Sequence, residues 1–403
     1  MPAAVLGACI AIGTYSAGSM AQVAQSRPGS GDELRVLYAT AGDVAEGKRV
    51  ATDACVRCHG ANGLSSAKGV PHVAGQRPVY LYNKLRAYQT GARKSHDMEG
   101  AVKFLNDDAL LKVAAYYSTL EPAQSRAPAD TRAAAVRADP IAAGKAAAAP
   151  CAGCHGENGV SKTAGTPSLV AFDPKYFLAA MAAYKSGQRK HDVMKSMSAA
   201  VSDADLKNLA FYFALQKPAR AQTKAVGDQA AGKSASAACA GCHGEQGVSG
   251  SPANPSLAGQ EAQYQALALR AYKDGSRKNE AMNGIAAALD ERAMKNLAAY
   301  FAAQEPKPPK VEKPLTLAEW AQRCDRCHGV NGNSTDPRAP ALASQRSEYL
   351  DKVLHEYQSG ARKDSAMAAM SASLDDSAIE SLAAHYSRQR ARAFVYVVVP
   401  PPK

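Results

Sequence analysis

Four short stretches of this chain carry nearly all of its cysteine: CVRCH from Cys55, CAGCH from Cys151, CAGCH from Cys239 and CDRCH from Cys324. Eight of the nine cysteines lie in them, leaving only Cys9, and each pair is followed at once by a histidine: His59, His155, His243 or His328. Two cysteines separated by two residues serve three kinds of chemistry: a redox dithiol, a zinc site, or covalent attachment of a haem. A dithiol has no use for the recurring histidine. A zinc site would be left with three donors on one turn and no second cysteine pair nearby to complete a tetrahedron. Covalent haem uses every residue. Cys55 and Cys58, Cys151 and Cys154, Cys239 and Cys242, and Cys324 and Cys327 form thioethers, and the adjacent histidine binds the iron. The motifs therefore predict haem c, four per chain and covalently attached.

An iron held only by histidine stays open to small molecules, whereas a second protein ligand closes it and leaves electron transfer as its main role. Met98, Met194, Met282 and Met367 each lie 39 residues after the histidine of their own motif. No other methionine offset is common to all four copies: Met197 and Met370 share one in two copies, and Met181 and Met294 are unshared. A methionine beside an apolar helix is ordinarily core filler, but a fixed offset in every copy is what an axial ligand demands. The reading is His/Met ligation at each iron. His72, His96, His191, His355 and His385 share no such offset and are read as surface or packing residues.

The same count from each histidine exposes more of the repeat. Pro71, Pro167, Pro255 and Pro340 stand 12 residues on, Tyr80, Tyr176, Tyr264 and Tyr349 stand 21 on, and Tyr88, Tyr184, Tyr272 and Tyr357 stand 29 on. Gly91, Gly187, Gly275 and Gly360 follow, suited to a helix C-cap where φ turns positive. Each leads into an Arg-Lys pair: Arg93-Lys94, Arg189-Lys190, Arg277-Lys278 and Arg362-Lys363. These pairs have two readings, a contact with a haem propionate or docking partner, and a solvated charged loop.

On the motifs CVRCHGANG, CAGCHGENG, CAGCHGEQG and CDRCHGVNG with their downstream methionines, the chain resembles class I c-type cytochromes. It looks closest to the tandem di-haem periplasmic, c-four-like group, doubled to four haem domains. The resemblance implies an all-α fold class, four tandem class I cytochrome c domains, each a small helical fold wrapped around one covalently bound haem. It also implies that the proline carbonyl accepts from histidine Nδ1, a contact that fixes the ring and its basicity. It implies an N-terminal helix crossing a C-terminal one in each copy, with Gly47, Gly144 and Gly232 at the close approach and Tyr116, Tyr212 and Tyr300 opposite. The fourth copy departs: LTLAEWAQRC has no such glycine, carries the only tryptophan, Trp320, and has His385 in place of tyrosine.

After each methionine the pattern is helical. AVSDADLKNLAFYFAL places Leu206, Leu209, Ala210 and Phe213 on one face, with Ser202 as N-cap and Asp205 completing a capping box. Asn106, Asp290 and Asp375 are the corresponding N-caps elsewhere. No alternating β pattern of comparable length appears. The predicted boundaries are a signal peptide over 1–21, domains over 38–122, 140–218, 227–305 and 315–392, and a tail over 393–403. Linkers fall at about 123–139, 219–226 and 305–314, the last proline-rich and therefore semi-rigid. Domains of about 80 residues have marginal cores of their own, so haem supplies the missing apolar bulk.

The first charge is Arg27, and Ser19-Met20-Ala21 suits a small-x-small cleavage site, which reads as secretion to the periplasm despite the missing basic n-region. Leu6-Gly7-Ala8-Cys9 is a faint lipoprotein box, with a lipid anchor at Cys9 as the lesser reading. No run of about 20 apolar residues exists for a transmembrane span. Peripheral membrane association stays open. Net charge is +12, spread through all four copies without a basic-aromatic binding motif. That argues against nucleic acid and for redox protein partners with acidic docking surfaces.

The main functional reading is an electron carrier, not an enzyme. It would take electrons from a quinol-oxidising complex or dehydrogenase and pass them to a terminal oxidase or reductase. The alternatives are a haem enzyme, a peroxidase or sulfur-compound oxidoreductase with one open iron (copy four being the first suspect), and a cytochrome subunit of a larger dehydrogenase.

Overall fold

Side-chain caps fix where the helices begin. Asn106, Asp290 and Asp375 accept the amides of Ala109, Ala293 and Ala378 at 2.9, 2.7 and 2.8 Å, as the sequence indicates. Ser202 accepts from the Asp205 amide at 3.1 Å, but Asp205 returns the contact to the Ser202 hydroxyl, not to its backbone. The reciprocal capping boxes lie instead at Thr40–Asp43 and Thr316–Glu319. The computed structural model describes residues 35–124 and 139–394. The signal-peptide reading, Cys9, most of the first linker and nearly all of the tail lie outside them.

The helices form four similar units. The first holds Ala41–Ala54, Val56–His59, Pro78–Gln89, His96–Val102 and Asp107–Thr119. The second holds Pro140–Ala147, Ala152–His155, Pro174–Lys185, Asp192–Ala200 and Asp203–Ala214, and the third Gln229–Ala235, Ala237–His243, Ala262–Lys273, Glu280–Ala287 and Glu291–Ala303. The fourth begins with one continuous helix, Leu317–His328, followed by Ser347–Gln358, Ser365–Ser371 and Asp376–Ser387. Among the described residues there is no strand, only an isolated bridge between Arg189 and Arg277. No helix there is long and apolar enough to cross a membrane.

In three units the first helix crosses the last at a glycine. A Cβ on Gly47, Gly144 or Gly232 would stand 1.9, 2.2 or 2.0 Å from the carbonyl oxygen of Lys112, Asn208 or Asn296, and would press on Tyr116, Tyr212 or Tyr300. Only a residue without Cβ permits that approach. Each tyrosine stacks beside a second buried ring, Tyr117, Phe213 or Phe301, at 5.1 Å. The fourth unit solves the crossing with bulk. Trp320 and Ala321 pack against Leu382, Ala383 and Tyr386, and the Tyr386 hydroxyl donates to Asp325 Oδ1 at 2.8 Å. His385 replaces the first ring of the pair and lies 4.9 Å from Tyr386.

The units associate in a nested order, first with fourth and second with third. In the outer pair Gln76 donates to the Ala341 carbonyl at 3.0 Å and accepts its amide at 2.7 Å. Gln345 does the same to His72, at 2.9 Å each way. Arg77 donates to the Ser334 carbonyl at 2.6 Å, and Arg346 to the carbonyls of Ser65 and Ala67 at 3.0 and 2.6 Å. The inner pair has one such clasp, Gln260 on Ser168. Fully buried Glu261 adds a bond to the Gly165 amide at 2.9 Å. Its linker is sewn in as well, since Gln222 donates its amide to Ser161 and Ala221 to Gly259, both at 2.8 Å.

Candidate haem sites

Each CxxCH motif ends on a helix turn that stops at a positive-φ glycine: Gly60, Gly156, Gly244 or Gly329. The second cysteine of each motif is exposed, the first is half-buried, and the histidine is 8–9 % exposed. None of the eight cysteines forms a disulfide. Burial pushes the Cys55, Cys151, Cys239 and Cys324 thiols above their ordinary value. Among the described residues no three of His, Cys, Asp and Glu converge as a metal-ion site.

The histidines are oriented identically. Nδ1 of His59, His155, His243 and His328 lies 3.1, 2.7, 2.8 and 2.9 Å from the carbonyl oxygen of Pro71, Pro167, Pro255 and Pro340. A carbonyl only accepts, so Nδ1 carries the proton and the Nε2 lone pair is free for iron. Burial holds all four imidazoles below the ordinary histidine range, the proline carbonyl partly opposing it.

Met98, Met194, Met282 and Met367 occupy the same place in their units, the third residue of a short helix, half-buried. In three copies the residue three before accepts the methionine amide: His191 at 3.3 Å, Asn279 at 3.0 Å and Asp364 at 3.1 Å. His191 is thus a helix cap as well as an exposed residue. The C-cap glycines Gly91, Gly187, Gly275 and Gly360 have φ of 70°, 79°, 75° and 74°, as the sequence requires.

The Arg-Lys pairs divide: their lysines are exposed, but their arginines are not. Their arginines meet tyrosines between paired units. In the inner pair Arg189 and Arg277 both donate to the Tyr176 hydroxyl at 3.1 Å, and Arg277 stacks on Tyr272 at 4.4 Å. In the outer pair Arg93 donates to the Tyr349 hydroxyl at 3.2 Å and lies 4.7 Å over Tyr88. Burial pushes Tyr176 up, but Arg277 and Arg189 outweigh it and hold the phenol below its usual value. Tyr349 is lowered in the same way by Arg93 and Arg362. Tyr264 is driven up to about 12, chiefly by burial. Arg93 Nε and Arg277 Nε are buried without a partner, so each pair holds one guanidinium N–H that needs an acceptor.

Sequence reading missed the clasp. Gln76, Gln260 and Gln345 all stand 17 residues after their histidine, a signal broken only by Phe172, which packs on Tyr176 at 5.0 Å. His72, read as surface or packing, is clasped by Gln345 and accepts the Ser65 amide on Nδ1 at 3.0 Å.

Residues 44–121 match the family model for cytochrome c, and residues 228–301 that for cytochrome c oxidase, cbb3-type, subunit III. The chain is 36% identical over 187 residues to a cytochrome c4 of Pseudomonas aeruginosa, an alignment spanning 44% of this chain and 91% of that protein. It is 33% identical over 169 residues to a thiosulfate dehydrogenase electron acceptor of Thiomonas intermedia, spanning 40% and 78%. A cytochrome c-554(548) of Halomonas halodenitrificans aligns along 100% of its length with 20% of this chain, at 40% identity. One unit therefore corresponds to a whole small cytochrome, and two to a cytochrome c4. With its four histidine-bearing motifs, the chain belongs to the class I c-type cytochromes, as a longer relative of the cytochrome c4 proteins that binds four haem c groups covalently.

Proposed function

We propose that the protein carries electrons between redox partners of the periplasm through four closed, His/Met-ligated haems and makes or breaks no substrate bond. The thioethers are to Cys55 and Cys58, Cys151 and Cys154, Cys239 and Cys242, and Cys324 and Cys327. The iron would be held by His59 with Met98, His155 with Met194, His243 with Met282 and His328 with Met367. When bound, haem supplies an iron that changes by one electron. The chain's own residues set its environment. The proline carbonyls orient the histidines, and the capped turns hold the methionine backbone. Arg93 and Arg277 offer their unpartnered N–H groups to an anionic edge such as a propionate.

The observation that carries this reading is the fourfold identity of the histidine–proline contact together with the fourfold placement of the methionine. An enzyme needs one site to differ in its ligands, and here all four offer the same pair. The relative named as a thiosulfate dehydrogenase electron acceptor supports a dehydrogenase of an inorganic sulfur compound as the donor. The excess of basic charge supports an acidic docking face on the partner. An optical spectrum of the purified holoprotein tests the ligation. The ferric form is expected to show the weak far-red methionine–iron band at four-haem intensity, and the ferrous form to leave carbon monoxide unbound. Carbon monoxide binding to one haem without denaturation would move the reading to an enzyme.

A further inference from the structure

The four sites share ligands but not surroundings. We infer that the fourth unit holds the haem of lowest reduction potential, set by Asp325, Glu356 and Asp364, and that it feeds the first unit across the outer interface. The inference rests on the His/Met reading above and adds an order to the sites.

The three acids occupy positions where the other copies are neutral. Asp325 sits between the cysteines of its motif, where the others have Val56, Ala152 and Ala240. Glu356 stands where they have Ala87, Ala183 and Ala271, and Asp364 where they have Ser95, His191 and Asn279. Asp325 is held against the site by the Tyr386 hydroxyl at 2.8 Å and the Asn331 amide at 3.0 Å. Asp364 accepts the Met367 amide, which keeps its carboxylate on the turn that carries the methionine. Glu356 pairs with Arg362 at 2.9 Å, the arginine being only 11 % exposed. Arg93 has no carboxylate partner among the described residues, and its first-unit neighbour at the matching position is Ala87.

Two of the charges lie beside the proposed iron ligands: Asp325 stands three residues before His328 on the same helix, Leu317–His328, and Asp364 caps the helix that carries Met367. The neighbouring cations Arg323, Arg326 and Lys352, the last 3.7 Å from Glu356, are exposed to solvent, where water and salt screen them. Asp364 is exposed too, so half-buried Asp325 and Glu356 carry the larger share. A ferric site carries one more positive charge than a ferrous one, so nearby carboxylates favour the ferric state and lower the potential. In the outer pair the extra acids all belong to the fourth unit, and the first has neutral residues at the matching positions. With haem bound, one electron would pass from the ferrous iron of the fourth unit, leaving it ferric, to the ferric iron of the first, with no proton or bond exchanged.

The test is a potentiometric titration of the four-haem protein followed optically, with haem counted for every variant. One midpoint is expected below the other three. Asp325→Asn, Glu356→Gln and Asp364→Asn should each raise that midpoint alone, and the triple variant should bring it in among the rest. Ala271→Glu, which places a carboxylate beside Arg277, should lower one other midpoint and covers the case where a neutralised variant fails to fold. Met367→His labels the fourth site: it should remove one quarter of the far-red band and displace the lowest step. An intact band would sink the ligand reading and this inference with it. A reduced band with a higher step displaced, or a lowest midpoint unmoved by the triple variant, would sink this inference alone.

Discussion

Covalent chemistry leaves a rigid trace at the scale of residues. Thioethers and an adjacent ligand require CxxCH, and that motif is legible from spacing alone. The four methionines stand out in the sequence by the same means, one offset from each histidine, and the proposed ligation rests on that offset. Replacing both cysteines of one motif, Cys151→Ser with Cys154→Ser, should leave three haems per chain, read by mass and by haem absorbance. The environment was less legible, because a contact between units has no fixed offset in sequence. His72 is an example. Burial and the Arg346 charge hold it below the ordinary histidine range, and it is neutral where it accepts the Ser65 amide. Its folded pKa is depressed, so below about pH 6.5 the unfolded chain takes up a proton that the folded one refuses. Stability of the outer pair should fall as pH drops through that value toward the lower folded one. His72→Gln should flatten the dependence of the unfolding midpoint on pH.

Among the elements, the helix crossing was legible where it depends on one residue type and obscure where it does not. Gly47, Gly144 and Gly232 signal a close approach because any side chain would collide with a backbone carbonyl. Gly144→Val should destabilise the second unit by about 1–3 kcal/mol or more, as overpacking does, seen as a lowered thermal midpoint. Gly250→Ala, with nothing within 4 Å of the added carbon, should leave it unchanged. The fourth unit gave no such signal. Its single helix from Leu317 to His328 buries Trp320 instead, a solution that depends on ring shape and on Tyr386 reaching Asp325, neither of which a local pattern encodes. Removing the tryptophan by Trp320→Ala should cost about 3–5 kcal/mol, measured by denaturant unfolding of the holoprotein.

Over the whole molecule, the order of pairing was not legible from linker composition. It is decided by the clasp residues. The first and fourth units both carry Gln-Arg, at Gln76-Arg77 and Gln345-Arg346, and engage each other reciprocally. The second and third carry Phe172-Asp173 and Gln260-Glu261 and close with one glutamine and one buried carboxylate. The double variant Gln76→Ala with Gln345→Ala gives up four hydrogen bonds between the two units, each worth about 0.5–1.5 kcal/mol. The earliest transition in urea should therefore move to lower denaturant while the inner pair stays put. The ion pair of Lys207 and Asp375, 3.9 Å apart and largely solvated, bridges the two pairs and contributes only about 0–1 kcal/mol.

The reciprocal clasp of the outer pair makes the chain behave like brackets rather than beads. The opening bracket waits unpaired until the closing one has been made, and everything between is complete without either. Loss from the two ends should therefore do more harm than loss from the middle. Cutting away the last unit strands Arg77, only 5 % exposed in the intact fold, whereas excising residues 139–314 and rejoining the flanks with a flexible bridge keeps both brackets matched. The shortened chain should fold as a two-haem protein, and an equally long deletion from the carboxyl end should not.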